Sequence, residues 1–180
     1  MIKITYFVHA ASIHNERRLV AGWIPSKLSE RGIEQAKNLE SVISVKNYDV
    51  VFSSDLARAF QTAKIVFGNV GDIKIDKRLR EINYGDFNGF PISKLIFNSL
   101  DRIRVGFPSG ECYKDVEKRI LNFLTYLKEN YSGNTVAIFS HRAPQLALDV
   151  ILKKKSWEQA FAEDWRLNGS WQPGWEYIIK

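Results

Sequence analysis

Residues 2–12 read IKITYFVHAAS, a run rich in β-branched and aromatic residues that ends at Val8 and gives way to small residues. Such a run is typical of a buried β-strand that leads into a loop. His9, one of three histidines in the chain, stands at the point where the run ends. We therefore predict a first strand over Ile2–Val8, with a reactive side chain directly after its carboxyl end.

Strand-like and helix-like segments alternate along the rest of the chain. Further strands are predicted at Tyr48–Phe52, Gly71–Ile75, Thr135–Phe139 and, as an edge strand, Trp175–Ile179. Apolar residues at helical spacing predict helices from a cap at Ser29 to Ile43, from a cap at Ser53 and Ser54 to Val66, at Val116–Tyr126 and at Ala143–Leu152, with a loop over Arg80–Gly89. This alternation predicts a single α/β domain that spans residues 1–180.

The net charge limits the kinds of binding partner that we expect, and the cysteine content limits the expected cellular compartment. The 26 basic and 20 acidic residues give a net charge of +6, yet no basic block is longer than Lys153–Lys155. Dispersed lysines and one local anion site account for this charge, so neither a nucleic-acid nor a membrane partner is expected. Cys112 is the only cysteine, and the apolar run at the start is too short for a signal peptide, so we expect a cytoplasmic protein without an internal disulfide.

Two of the three histidines and one arginine follow predicted strands. His9 follows the first strand, His141 follows a later one, and Arg58 lies in the first turns of the helix after Ser53 and Ser54. In open α/β sheets, ligands bind beyond the carboxyl ends of the strands, where loops lead into helices. We therefore predict that these residues share one site.

At these positions the chain resembles the histidine phosphatase (phosphoglycerate mutase-like) superfamily. The matching segments follow one another in the family's order, and they are YFVHAASIHNE (6–16), GWIPSKLSERGIEQA (22–36), SSDLARAFQTA (53–63), LREINYGDFNG (79–89), FPSGECYKDVEKR (107–119) and FSHRAPQLAL (139–148). Their joint order is far more specific than any one segment. The resemblance implies a three-layer α/β/α sandwich with a mostly parallel central sheet.

The resemblance also implies a role for each residue of the shared site. His9 is the phosphate-accepting nucleophile, Glu81 is the acid that protonates the leaving group, and His141 is a donor to a phosphate oxygen. Arg58 binds the phosphate, because a guanidinium stays charged and grips two oxygens at once. The further candidates for phosphate contact are Asn15 and Ser12.

Simpler interpretations of three features remain open. Glu81 could form a structural ion pair with Arg78 or Arg80, and Asn15 could form only a local turn. The tail from Trp157 onward holds four of the five tryptophans. Aromatic content of this kind favours packing in the core and at a sheet edge over an aromatic platform for a substrate.

The main departure from the family's pattern is at Val8, where the family has an arginine. Ala10 replaces the glycine after the histidine, and Arg142 stands where the family has a glycine. The family normally presents two arginines to the phosphate, so the loss of one should cost several powers of ten in rate unless another cation replaces it. We predict Arg142 as the replacement, with Arg17 and Arg18 as alternatives.

These expectations favour a phosphatase that hydrolyses a phosphomonoester, either a small molecule or a phosphoprotein, through a phosphohistidine on His9. No metal or other cofactor is expected, since three histidines without a carboxylate cluster make a poor metal site. An alternative is a catalytically weak or inactive relative that binds a phosphorylated ligand or has a regulatory role. A phosphomutase is a third possibility, disfavoured because the segment between Gly89 and Gly110 is short and leaves the site open to water. No oligomeric state follows from the sequence.

Overall fold

The strands form one five-stranded sheet, in the spatial order β3-β2-β4-β1-β5. The fold is taken from a computed structural model, which describes residues 1–43, 48–68, 72–95, 100–169, 171 and 174–180. The strands are β1 (Ile2–Val8), β2 (Val50–Ser53), β3 (Ile73–Ile75), β4 (Thr135–Ser140) and β5 (Trp175–Ile179). Neighbouring strands are parallel except for β5, which lies antiparallel to β1 at the sheet edge.

Helices connect the strands and cover both faces of the sheet. They are α1 (Ile13–Glu16), α2 (Glu30–Ile43), α3 (Ala57–Phe67), α4 (Tyr113–Asn130), α5 (Arg142–Leu152) and α6 (Trp157–Ala162). Short 3-10 turns include Lys77–Leu79, Gly85–Phe87, Ile92–Lys94, Leu100–Ile103 and Trp165–Asn168. Within the described ranges, no helix combines the length and the apolar character that crossing a membrane requires.

The two faces of the sheet bury different sets of side chains, because successive residues of a strand point to opposite faces. On β1, Phe7 packs with Leu39 of α2, Val66 of α3 and Phe139 of β4, and the rings of Phe7 and Phe139 stack at a centroid distance of 4.8 Å. Tyr6 faces the other way, into the larger cluster that α4, α5 and α6 cover. The result is the three-layer α/β/α sandwich with a mostly parallel sheet that the resemblance implies.

Strand positions agree closely with the pattern of the sequence. β1 and β5 have the predicted bounds, and β4 extends one residue further than predicted, to Ser140. The predicted strand Tyr48–Phe52 is corrected to Val50–Ser53. The predicted strand Gly71–Ile75 is observed from Ile73, and Gly71 itself lies outside the described residues.

Helix ends are where the predictions need correction, since hydrogen bonds at the termini rather than apolar spacing decide them. α4 begins at Tyr113 because the Asp115 carboxylate accepts the backbone N–H of Cys112 at 2.9 Å, and it runs to Asn130. The residue that precedes α3 is Leu56, so Ser53 and Ser54 do not cap this helix. The predicted loop Arg80–Gly89 contains a 3-10 turn, and α6 was not predicted.

Three parallel strands end at the same edge of the sheet. Val8 of β1 is paired in register with Ser140 of β4, and Ser53 of β2 is paired with Phe139 of β4. The residue that follows each strand therefore emerges at one place. These residues are His9, Ser54 and His141.

Candidate active site

His9 and His141 lie side by side at this edge. The His9 amide donates to the Ser140 carbonyl at 3.0 Å, which continues the β1–β4 pairing by one residue. The two imidazole rings are 5.0 Å apart between centroids, at an angle of 61°. Two histidines that are far apart in the sequence thus meet because parallel strands align their carboxyl ends.

The hydrogen bonds of His9 define its tautomer. Nδ1 lies 2.7 Å from the carbonyl oxygen of Ala10, an acceptor, so Nδ1 carries the hydrogen. Arg58 Nε, which can only donate, donates to Nε2 of His9 at 3.1 Å, so Nε2 offers a lone pair. The imidazole is therefore neutral, and its unprotonated nitrogen faces the guanidinium of Arg58.

Arg58 is a buried cation with an unused donor. It lies in the first turn of α3 with 1% of its surface exposed, and its Nη2 donates to the Gly22 carbonyl at 2.8 Å. Its Nη1 is buried and has no hydrogen-bond partner among the described residues. Burial lowers the pKa of Arg58 to about 10, which still leaves the group charged at neutral pH. A buried cationic donor without an acceptor is costly, and it marks a place where an anion would be held strongly.

His141 is a second buried side chain with an unused polar atom. Its Nε2 lies 3.0 Å from the hydroxyl of Ser54, which also accepts the backbone N–H of Leu56 at 3.2 Å. A hydroxyl can donate one hydrogen bond and accept two, so Ser54 can either donate to Nε2 or accept from it, and in the first case the imidazole hydrogen lies on Nδ1. That Nδ1 is buried without a partner within the part of the chain that the structure describes.

Glu81 is held by backbone amides rather than by an arginine. Its Oε1 accepts the N–H of Ile82 at 2.9 Å and the N–H of Ala143, in the first turn of α5, at 3.0 Å. The structure gives the neighbouring arginines other partners, since Arg80 binds Asp55 and Arg78 binds Asp76. The same loop is fixed by Arg119, whose Nη2 donates to the backbone carbonyl of Glu81 at 3.1 Å.

Two cavities meet at His9 and Glu81, and His141 lines neither of them. The smaller, of about 40 Å³, is bordered by His9, Arg58, Glu81 and Tyr84, among others. The larger, of about 650 Å³, opens beside it, and its lining includes Gln35, Trp165 and Trp171. The residues common to both linings are His9, Asn15, Glu81 and Arg166. A small polar space next to a wider one suits a compact charged group attached to a larger molecule.

Enclosure by protein keeps both histidines neutral. Burial, and then the positive charge of Arg58, lower the pKa of His9 to about 3 from the ordinary value of 6.5. The pKa of His141 is lowered well below its usual value by burial, by Arg58 and by His9. A neutral imidazole keeps its lone pair, so His9 has the protonation state that a nucleophile requires at neutral pH.

We expect the imidazole of His9 to stay neutral from neutral pH down to about pH 4, because its pKa lies far below 6.5. Below about pH 6.5 the unfolded chain takes up a proton on His9 and the folded chain does not. The free energy of unfolding should therefore be unaffected by His9 above pH 6.5 and should decrease as the pH falls toward 3. The measurement is the pH titration of the imidazole ¹⁵N chemical shifts, assigned with a His9→Ala variant. The protein unfolded in urea is the control, and a folded-state midpoint near the unfolded one would contradict the prediction.

The other predicted phosphate contacts have structural roles. Asn15 borders both cavities, but its Oδ1 accepts the backbone N–H and the hydroxyl of Ser12, each at 2.9 Å, at the start of α1. Ser12 is fully buried and is not among the residues that line either cavity. The structure therefore shows the turn-forming role of Asn15, and phosphate contact by either residue stays a prediction.

Arg142 borders the larger cavity, but its guanidinium is engaged elsewhere. Its Nε and Nη2 both donate to Asp164 Oδ2, the Nε bond at 2.7 Å, and its Nη1 donates to the hydroxyl of Tyr113 at 3.0 Å. Both members of the Arg142–Asp164 pair are 3% exposed. The placement of Arg142 therefore does not support the predicted exchange for the arginine missing at Val8. Arg18 borders the larger cavity, and Arg17 borders neither.

Three contributors to the site were not identified from the sequence. They are the carbonyl of Gly22, the hydroxyl of Ser54 as the partner of His141, and Arg166. Ser54 stands in a segment that matches the family, so its position was a usable signal. Arg166 lies in the tryptophan-rich tail, where no spacing or motif sets it apart. That tail packs against the sheet as expected, with Trp171 Nε1 donating to the Val8 carbonyl at 3.1 Å, but it also lines the larger cavity.

Comparison with known proteins shows similarity over most of the chain. The sequence profile described as "Histidine phosphatase superfamily (branch 1)" matches residues 6–171. Phosphoserine phosphatase 1 of Hydrogenobacter thermophilus is 31% identical over 158 residues, which cover 82% of this chain and 74% of that protein. A 2,3-bisphosphoglycerate-dependent phosphoglycerate mutase of Parvibaculum lavamentivorans is 31% identical over 86% of this chain and 81% of its own. The crystal structure of the α-ribazole phosphatase from Shigella flexneri superposes with a TM-score of 0.79 at 26% identity, over 89% of this chain and 84% of that chain.

Proposed function

The chain belongs to the histidine phosphatase superfamily, branch 1, and we propose that it hydrolyses a phosphomonoester through a phosphohistidine on His9. One observation carries the proposal. The unprotonated Nε2 of His9 lies 3.1 Å from Nε of a buried arginine, beside a cavity that Glu81 also borders. An imidazole with a free lone pair, a cation and a carboxyl group around one small polar space support the proposal.

In the first step, Nε2 of His9 attacks phosphorus, and the bond between phosphorus and the ester oxygen breaks. The hydrogen bond from Nδ1 to the Ala10 carbonyl stabilises the positive charge that develops on the imidazole. The leaving oxygen takes a proton from Glu81, which must hold that proton when the ester binds. The products are phosphohistidine, the Glu81 carboxylate and the free alcohol.

In the second step, a water molecule attacks phosphorus and the N–P bond breaks. Glu81, now a carboxylate, takes a proton from the water, which restores its starting state. His9 returns to the neutral form with its hydrogen on Nδ1, and inorganic phosphate leaves. The two amides that hold Oε1 fix the carboxyl group through both steps, so it serves first as acid and then as base.

Catalysis of this reaction depends mainly on positioned positive charge, because the transition state spreads its charge over the equatorial phosphoryl oxygens. Nη1 of Arg58 is a donor without an acceptor among the described residues, and so is Nδ1 of His141 when the Ser54 hydroxyl donates to Nε2. An oxyanion within reach of both atoms would satisfy them. Their bonds to Gly22 and Ser54 hold them in place before the substrate arrives, so little reorganisation is needed.

Phosphorylated small molecules are the substrate class that we propose. The relatives include a phosphoserine phosphatase, an α-ribazole phosphatase and a phosphoglycerate mutase, whose names all refer to small phosphorylated compounds. The cavity of about 650 Å³ beside the nucleophile has room for such a compound, and arginines border it. A mutase shares the first step but returns the phosphoryl group to a sugar acid instead of water.

The test is hydrolysis of p-nitrophenyl phosphate in the presence of EDTA, combined with trapping of the phosphorylated protein under alkaline conditions, where phosphohistidine survives. We expect turnover without added metal and a ³²P label on the wild-type chain. Binding of phosphate without turnover or label would favour the non-catalytic alternative. Transfer to 3-phosphoglycerate that exceeds release of inorganic phosphate would favour the mutase.

Glu81→Gln should lower kcat for β-glycerophosphate by about 10²- to 10⁴-fold, because an alkoxide needs a proton in order to leave. The effect on formation of the phosphohistidine from p-nitrophenyl phosphate should be much smaller, since p-nitrophenolate leaves without a proton. The measurement is pre-steady-state kinetics with both esters. Glu34→Gln, at an exposed position on α2, is the matched control. Equal losses with the two esters would show that Glu81 is not the acid.

A further inference from the structure

Position 8 leaves the site with less positive charge than the family provides. Val8 belongs to the apolar core with 4% of its surface exposed, and it also borders the larger cavity. Its side chain offers no donor to an anion. A phosphoryl group presents three equatorial oxygens, which one buried guanidinium can satisfy only in part. A second cation near His9 would complete the site.

Arg166 is the arginine whose position meets this need. Among the described arginines, Arg58 and Arg166 are the two that border the small cavity, and Arg166 borders the larger one as well. Arg31 borders only the larger cavity and lies 3.8 Å from Glu16, and Arg18 also borders only the larger cavity. The side chain of Arg166 is exposed, so it approaches the site from the solvent side, whereas Arg58 approaches from the protein interior.

The backbone around Arg166 is fixed by a buried ion pair. Asp164 precedes the 3-10 turn Trp165–Asn168, and its Oδ1 accepts the backbone N–H of Arg166 at 3.1 Å. The other oxygen of Asp164 binds Arg142. Arg142 thus does not reach the small cavity itself, but it anchors the turn that carries Arg166. A buried pair of this kind is well suited to fix a geometry, because breaking it leaves a charge without compensation.

The positive charge of Arg166 acts on His9, the proposed nucleophile. After burial and Arg58, the positive charge of Arg166 also lowers the pKa of His9. It acts in the same direction on Tyr84, another residue that borders the small cavity, although burial sets the overall shift there. The effect of its charge on both His9 and Tyr84 agrees with the position of Arg166 in the lining of the small cavity.

We propose that Arg166 is the second guanidinium that binds the phosphoryl group, in place of the arginine that Val8 replaces, and that Arg142 positions it through Asp164. The proposal rests on the proposed function only in taking the bound anion to be the phosphoryl group of the substrate. It assigns Arg142 a positioning role and Arg166 a binding role.

The experiment measures binding of inorganic phosphate by isothermal titration calorimetry, without any substrate. Arg166→Gln should weaken binding by about 10- to 100-fold, since a charge-assisted hydrogen bond to an anion is lost. Arg166→Lys should give an intermediate loss, because it keeps the charge but not the two-pronged geometry. Arg104→Gln is the matched control, since Arg104 is also exposed and borders neither cavity, and we expect it to bind phosphate as the wild type does.

A double-mutant cycle tests the positioning role. Arg142→Met should weaken phosphate binding in the wild-type background and have little further effect in the Arg166→Gln background, because both changes act through one side chain. Independent, additive losses would show that Arg142 does not act through Arg166. Thermal unfolding of each variant checks folding, and if Arg142→Met does not fold, the three variants of Arg166 and Arg104 still decide the binding role.

The outcomes separate this proposal from the proposed function. If the wild type hydrolyses esters and Arg166→Gln binds phosphate as the wild type does, Arg166 is not the second guanidinium and the phosphatase stands. If the wild type releases no phosphate but Arg166→Gln still weakens phosphate binding, the catalytic function fails and the binding role stands.

Discussion

His9→Ala should lower kcat for p-nitrophenyl phosphate by about 10⁴- to 10⁶-fold, the range expected when a covalent nucleophile is removed. Alanine has no lone pair to attack phosphorus, so the two-step route is closed. The remaining cation and donors would still bind phosphate, because the Arg58 and His141 contacts to Gly22 and Ser54 do not involve His9. The measurement combines steady-state kinetics with ³²P trapping, and no label should be found on the variant.

His14→Ala is the matched control for this change. His14 is partly buried, its Nδ1 lies 2.9 Å from the hydroxyl of Ser26, and it borders neither cavity. We expect its activity to stay within about twofold of the wild type, because it has no role in the proposed steps. A His9→Ala variant that still carries the label, or that keeps more than about a hundredth of the activity, would refute His9 as the nucleophile.

Arg58→Gln should lower kcat/KM by about 10³-fold, because its buried guanidinium is the main stabiliser of charge on the phosphoryl oxygens. Glutamine can keep a hydrogen bond to Gly22, but it has no positive charge, and its single NH2 group cannot also donate to the phosphoryl group as a second arm of the guanidinium does. Stopped-flow and steady-state assays at several substrate concentrations would separate kcat from KM. Arg104→Gln, which removes one positive charge at an exposed position, again serves as the control for the change in net charge.

The same variant should change the pH dependence in a definite direction. Burial and then the charge of Arg58 lower the pKa of His9, so removal of Arg58 should raise that pKa above about 3 while burial keeps it below 6.5. Because only neutral His9 is a nucleophile, the acid-side loss of activity should then occur at higher pH than in the wild type. A loss below about tenfold, together with an unshifted acid limb, would show that Arg58 is a structural cation.

Local patterns located the five strands of the described residues, and the resemblance to the family supplied most of the candidate site residues. The bounds of β1 and β5 follow from β-branched and aromatic runs, which are properties of consecutive residues. The meeting of His9 and His141 follows from a general rule, since parallel strands bring their carboxyl ends to one edge. Glu81 and Arg58 were identified from segments that match the family, and the structure brings both to the same cavity.

The pattern predicted the hydrogen bond at one helix end, since Ser29 accepts the backbone N–H of Gly32 at 3.1 Å at the start of α2. The starts of two other helices were not predicted. α4 begins ahead of its apolar spacing, where Asp115 accepts the backbone N–H of Cys112, and α3 begins after Leu56. Sequence periodicity reports which residues are buried and carries little information about such contacts.

Local spacing and a rule of sheet geometry predict the α/β class, the strands along the chain and one shared site, and the resemblance to the family supplies the roles of the side chains in that site. The partners of the arginines, by contrast, depend on how the folded chain brings distant residues together. Arg142 binds Asp164, and Arg166 reaches the small cavity from a tail that the sequence indicates only as packing. A guanidinium is carried by a long, flexible side chain and has several donors, so it can bind any acceptor within its reach. The fold decides which acceptors lie there, because they come from distant parts of the chain.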